Sequence, residues 1–156
     1  MIPALIDVTG APWQVLPAGV HKTTLEELAT TFATDQWRRK LFAGLLHASR
    51  DLSTAGCARL YVNGSYVTGK PIPGDYDVCW DPGGVDRRVL APEFLDFSKD
   101  RATQKAKYGG EFFPSSFAAD TVGNTFLEYF QIERYSGARK GILEIELIND
   151  PMIQAR

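Results

Sequence analysis

The sequence predicts an α+β domain, on three observations. Two stretches in the first third of the chain combine helix caps with apolar residues at three- and four-residue spacing. Two short apolar runs at mid-chain are cut off by turn residues, and an alternating run lies near the end. At 156 residues, 44% of them hydrophobic and 23% charged, the chain suits a single domain over 1–156 with a sizeable core.

Residues 1–20 mix Pro3, Gly10, Pro12, Pro17 and Gly19 with Ile2, Leu5, Ile6, Trp13, Val15 and Leu16, the composition of an extended arm packed on the domain. Thr23 or Thr24 can cap a helix from Leu25 to about Ala33, with Glu26 and Glu27 where the helix dipole favours anions. Thr34 or Asp35 can cap a longer helix to about Ala55, whose apolar face is Trp37, Leu41, Leu45, Ala48 and Leu52. Gly56 stops it.

A buried strand is expected over Arg59–Asn63 and a second over Tyr76–Trp80, ended by Asp81-Pro82-Gly83-Gly84. Between them lies the Gly/Pro-rich stretch Gly64-Ser65 to Gly74-Asp75. Residues 85–107 are mixed, with helix starts at Pro92 and Asp100. Glu111-Phe112-Phe113 reads as a third strand, 124–132 as a helix packing through Phe126, Leu127, Tyr129 and Phe130, and 140–147 as a last strand with one polar face. Phe112 and Phe113 read as core with them, and Cys79 as a buried structural thiol.

Composition narrows the function classes. A net charge of −2 and a pI near 5.7 give no global footprint for coating a nucleic acid backbone. Cys57 and Cys79 lack partners at zinc-ligand spacing, and His21 and His47 lack local partners, which argues against zinc or histidine nucleophile chemistry. The first ten residues lack a signal-peptide pattern, and no apolar run approaches the roughly 20 residues of a membrane span, so a cytoplasmic protein without a membrane partner is expected.

The chemistry concentrates at 60–78. Asp75 and Asp77 stand one residue apart at a strand start, so their side chains share a face with Cβ atoms roughly 6–7 Å apart. That spacing suits hard cations such as Mg²⁺, which two-metal sites hold about 3.5–4 Å apart. Gly64 lets backbone N–H groups approach phosphates, Ser65 adds a donor, and Lys70 adds a point charge. Lys140, following a turn at the start of a strand, is placed to face phosphate. Arg38-Arg39-Lys40 and Lys99, Arg101, Lys105 and Lys107 either steer a nucleotide or RNA acceptor or form solvated helix faces.

Gly64-Ser65, nine residues, then Asp75-Tyr76-Asp77-Val78 resembles the signature of the DNA polymerase β-like nucleotidyltransferase superfamily, and the small size resembles its minimal nucleotidyltransferase type. Lys70, Pro73-Gly74-Asp75, Tyr108-Gly109-Gly110, Phe130-Gln131 and Lys140-Gly141-Ile142 further resemble one bacterial subgroup, so the likeness spans about 55–148. The resemblance implies a small mixed sheet with helices mainly on one face, and a short helix opening at 65–70. It implies that Gly64 and Ser65 bind the phosphates of an NTP, beside the cations Lys70 and Lys140 placed above, and that Asp75 and Asp77 bind two Mg²⁺ ions, or Mn²⁺.

The superfamily has a third carboxylate on a later strand, for which Glu111 is the first candidate and Glu144 and Glu146 the competitors. Their other reading is the solvated face of an edge strand. Gly74 stands where many minimal members carry Ser. The implied reaction moves an NMP from an NTP to a hydroxyl of a protein or tRNA acceptor, possible partners including a cognate toxin or antitoxin. The alternative is a catalytically silent nucleotide- or partner-binding protein of the same fold.

Overall fold

The computed structural model describes residues 1–154 and is built on one five-stranded mixed sheet. The strands are β1 (Gly19–Thr23), β2 (Arg59–Asn63), β3 (Tyr76–Trp80), β4 (Gly110–Pro114) and β5 (Gly141–Glu146), in the order β1-β5-β2-β3-β4. The two outer pairs, β1 with β5 and β3 with β4, are parallel, and the inner pairs are antiparallel. The helices are α1 (Leu25–Phe32), α2 (Gln36–Thr54), α3 (Ser98–Tyr108), α4 (Phe126–Tyr129) and α5 (Pro151–Gln154).

Strand periodicity divides the sheet into two faces. Leu60, Val62, Val78, Trp80, Phe112, Leu143 and Ile145 share one face by register and form the main core with Leu25 and Leu28 of α1 and Leu41, Leu45 and Leu52 of α2. The apolar spacing of α2 is satisfied there, except that Trp37 stays 40% exposed. Thr24 caps α1 by accepting from the Glu27 amide, and Asp35 caps α2 by accepting from the Arg38 amide. The opposite face carries Tyr61, Cys79 and Ile142, covered by Phe126, Leu127 and Phe130.

Four expectations change. The arm of residues 1–20 runs into β1, whose short polar sequence Gly-Val-His-Lys-Thr becomes a strand only through its parallel pairing with β5. In consequence β5 is interior, not an edge, and Glu144 on its expected polar face is only 7% exposed. The helix expected over 124–132 is confined to α4, fixed by a capping box between Thr125 and Glu128, and Tyr129 is exposed instead of packed. The short helix expected at 65–70 is a single 3₁₀ turn over Ser65–Val67, as Gly69 and Pro71 would dictate. No helix among the described residues is long and apolar enough to cross a membrane.

Candidate functional site

Register assembles the acidic cluster. On the parallel β3–β4 pair Asp77 lies opposite Glu111, and Asp75 immediately precedes β3 on the same face. One oxygen from each of Asp75, Asp77 and Glu111 lies within 4.8 Å of the other two. Glu144 and Glu146 are elsewhere: Glu144 pairs by register with Tyr61, and both reach Lys22, at 3.9 and 3.5 Å. The third carboxylate beside the aspartates is therefore Glu111.

Packing three carboxylates in a half-buried place has an electrostatic cost. Burial, and then the charge of Glu111, raises the Asp75 carboxyl. Burial, then Asp75 and Glu111, pushes Asp77 up to about 7. Nearby cations offset part of the cost. Glu111 accepts from Arg101 Nε at 3.1 Å and ion-pairs with Lys105 Nζ at 3.0 Å. Arg101 and Lys105 thus face the acidic cluster rather than forming a solvated helix face, and Lys107 pairs with Glu93 at 3.4 Å.

The glycine of the Gly-Ser pair has a specific steric role. Gly64 sits at φ +81°, and a Cβ there would stand 2.5 Å from Asp77 Oδ2. The chain can pass this close to the carboxylate only without a side chain. Ser65 follows in the 3₁₀ turn, and Lys70 lies further along the same loop. Arg38, 5% exposed, holds that loop by donating to the carbonyls of Tyr66 (2.7 Å) and Lys70 (2.6 Å), while its own carbonyl accepts from the Tyr66 hydroxyl at 2.9 Å. Trp37 Nε1 donates to Pro73 O at 2.6 Å just before Asp75. The sequence grouped Arg38 with cations of the surface or of a nucleotide site; it is an internal clamp.

Two further fixtures were invisible in the sequence. Gln104 of α3 is fully buried and pairs with β4 like an extra strand, accepting from the Phe112 amide at 2.8 Å and donating to the Phe112 carbonyl at 3.3 Å. It fixes the strand that carries Glu111. Asn63, fully buried opposite Asp77, leaves its Oδ1 without a hydrogen-bond partner among the described residues. Its side-chain amide was not distinguishable from a strand-end residue by pattern alone.

Lys140 enters from the other side. Its amide donates to Gln131 O at 2.8 Å, which sets the approach to β5. Burial lowers the Lys140 ammonium, against the pull of Asp77 and Glu133. All seven residues singled out from the sequence, Gly64, Ser65, Lys70, Asp75, Asp77, Glu111 and Lys140, line one cleft of about 1230 Å³. Its outer walls carry the exposed rings of Trp13, Trp37 and Tyr135. The histidines do find partners, contrary to expectation, but away from this cleft: His47 lies 3.4 Å from Asp51 and His21 2.6 Å from the Pro17 carbonyl.

An all-oxygen donor set suits a hard divalent cation better than zinc or copper. All three carboxylates line the cleft, so a cation entering it meets them together. By donor chemistry, Asp75, Asp77 and Glu111 could hold a hard divalent cation such as Mg²⁺ or Mn²⁺.

Comparison with curated proteins and with solved structures returns no match. Among protein families, residues 11–146 match one described as a family of unknown function, DUF6932. Because that match takes in both the Gly-Ser loop and the carboxylate cluster, along with most of the chain, the protein belongs to the DUF6932 family.

Proposed function

We propose that this protein is a divalent-cation-dependent nucleotidyltransferase, with the polymerase β-like fold, that moves an NMP from an NTP to a hydroxyl group. One observation carries the reading: three carboxylates with oxygens within 4.8 Å of one another share a cleft with a Gly-Ser loop and with Lys70 and Lys140. Asp75, Asp77 and Glu111 would hold Mg²⁺, and the backbone of Gly64 and Ser65, with Lys70 and Lys140, would bind the β- and γ-phosphates. Bound Mg²⁺ supplies charge neutralisation on the phosphate oxygens.

The protein's own contribution is position and electrostatics. The Gly-Ser loop, clamped by Arg38, would orient the triphosphate so that the α-phosphorus faces the acceptor. The acceptor hydroxyl gives its proton to the carboxylate cluster as its oxygen bonds to the α-phosphorus. The bond from that phosphorus to the α–β bridging oxygen breaks, and its electron pair leaves with pyrophosphate. The resemblance points to a protein or tRNA hydroxyl as the acceptor class and permits a role within a toxin–antitoxin pair.

A second reading has its own observation. Both Glu111 oxygens already carry cationic partners, Arg101 and Lys105, which favours a silent nucleotide- or partner-binding protein if those pairs persist with ligand present. Calorimetry with Mg²⁺ and each NTP, followed by assay of pyrophosphate in the presence of a lysate that supplies protein and tRNA acceptors, tests the two. Binding with pyrophosphate release supports the transferase; binding without it supports the silent protein.

A further inference from the structure

The cations on Glu111 are not equivalent. Arg101 is fixed on several sides: Nε donates to Glu111 Oε2 at 3.1 Å, Nη2 donates to Asp100 Oδ1 at 2.6 Å, and the guanidinium lies 5.1 Å from the Phe113 ring centroid. Its backbone is held too. Lys99, Asp100 and Arg101 are consecutive left-handed residues at φ 51°, 56° and 59°, a conformation that costs roughly 1–2 kcal/mol per residue outside glycine. Arg101, the last of the three, is the one whose side chain reaches Glu111.

Lys105 is different. Its ammonium stands 3.0 Å from Glu111 Oε1 and 3.0 Å from Asp100 Oδ2, it lines the cleft, and its stem is a flexible chain. It can leave Glu111 without losing its other partner. Glu111 Oε1 is then free to turn to a cation shared with Asp75 and Asp77, while Oε2 stays on Arg101.

We propose that Lys105 is an exchangeable counter-ion. It neutralises Glu111 while the carboxylate cluster is metal-free, and it withdraws to Asp100 when a divalent cation takes Glu111 Oε1. Arg101 stays in place and keeps the carboxylate aimed. The inference rests on the cation-binding reading above and adds a residue that sets the affinity of that site: a positive charge that the incoming cation must displace. Lys105 is a positioning residue in this account, and its effect is read without any assay of turnover.

The experiment is a calorimetric Mn²⁺ titration of the wild-type protein, Lys105→Gln and Lys105→Arg, with thermal melts of each in EDTA and in saturating Mn²⁺. Lys105→Gln is expected to bind Mn²⁺ about tenfold more tightly, the effect that one neighbouring like charge has on an ionisation. It should melt below wild type in EDTA, and the gap should close with Mn²⁺. Lys105→Arg, which keeps the charge, should bind as wild type does. Wild-type binding with equal or weaker binding by a folded Lys105→Gln overturns the counter-ion role and leaves the cation site standing. If Lys105→Gln does not fold in EDTA, rescue of its fold by Mn²⁺ supports the proposal and failure of rescue overturns it. Absence of Mn²⁺ binding by wild type overturns the cation site and this proposal with it.

Discussion

Asp77 and Glu111 face each other across the parallel pair β3–β4, and with Asp75 they bring three carboxylate oxygens within 4.8 Å of one another. That arrangement is unfavourable without a counter-charge, and its cost gives a pH signature. Burial and the neighbouring acids raise Asp77 to about 7, above the ordinary carboxylate value of about 3.8 that the unfolded chain has. A carboxyl raised on folding stabilises the fold while protonated, so its contribution is full below pH 4 and is lost as pH rises through 7. In EDTA, urea melts across this range should show the wild type losing stability relative to Asp77→Asn as pH rises. Parallel curves for the two proteins would contradict the burial of an ionisable Asp77.

Gly64→Ala tests the close approach of loop to carboxylate. The new methyl group would meet Asp77 Oδ2 at 2.5 Å, at a φ of +81° that disfavours any side chain. The variant should lose about 1–3 kcal/mol of stability, the cost of one strained residue, and bind Mn²⁺ and ATP at least tenfold more weakly. Undiminished ligand binding, measured by calorimetry, would show that the loop does not serve the cluster.

Arg38→Met removes the clamp on the Gly-Ser loop. The Tyr66 and Lys70 carbonyls lose a charged donor, each such bond being worth about 1.5–3 kcal/mol. A destabilisation of about 3 kcal/mol is expected from chemical melts, with hydrogen exchange speeding up over residues 66–70. A loss below about 1 kcal/mol would return Arg38 to the surface class in which the sequence alone left it.

Much of this was legible in the residues, and the omissions share a cause. β2 and β3 announced themselves as apolar runs stopped by turn chemistry, and the Thr24 and Asp35 caps sit where side-chain oxygens would accept from a first-turn amide. Gly64-Ser65 and Asp75-x-Asp77 stood out because their chemistry depends on local spacing. β1 did not, since Gly19–Thr23 has no apolar pattern and gains its identity only from β5, more than a hundred residues away. For the same reason β5 looked like an edge. Arg38, Gln104 and Arg101 are polar residues whose partners are distant in the chain or lie on the next element. Charge and propensity cannot tell a buried clamp from a solvated face; only the assembled packing does.

The central claim is tested most directly by incubating the purified protein with α-labelled NTPs, Mg²⁺ and a bacterial lysate that supplies acceptors, and measuring pyrophosphate together with label fixed to protein or RNA. The account predicts release and labelling that require the divalent cation and vanish in the folded double variant Asp75→Asn, Asp77→Asn. Equal labelling by that double variant, or NTP binding by wild type with no pyrophosphate released under any condition, would contradict it.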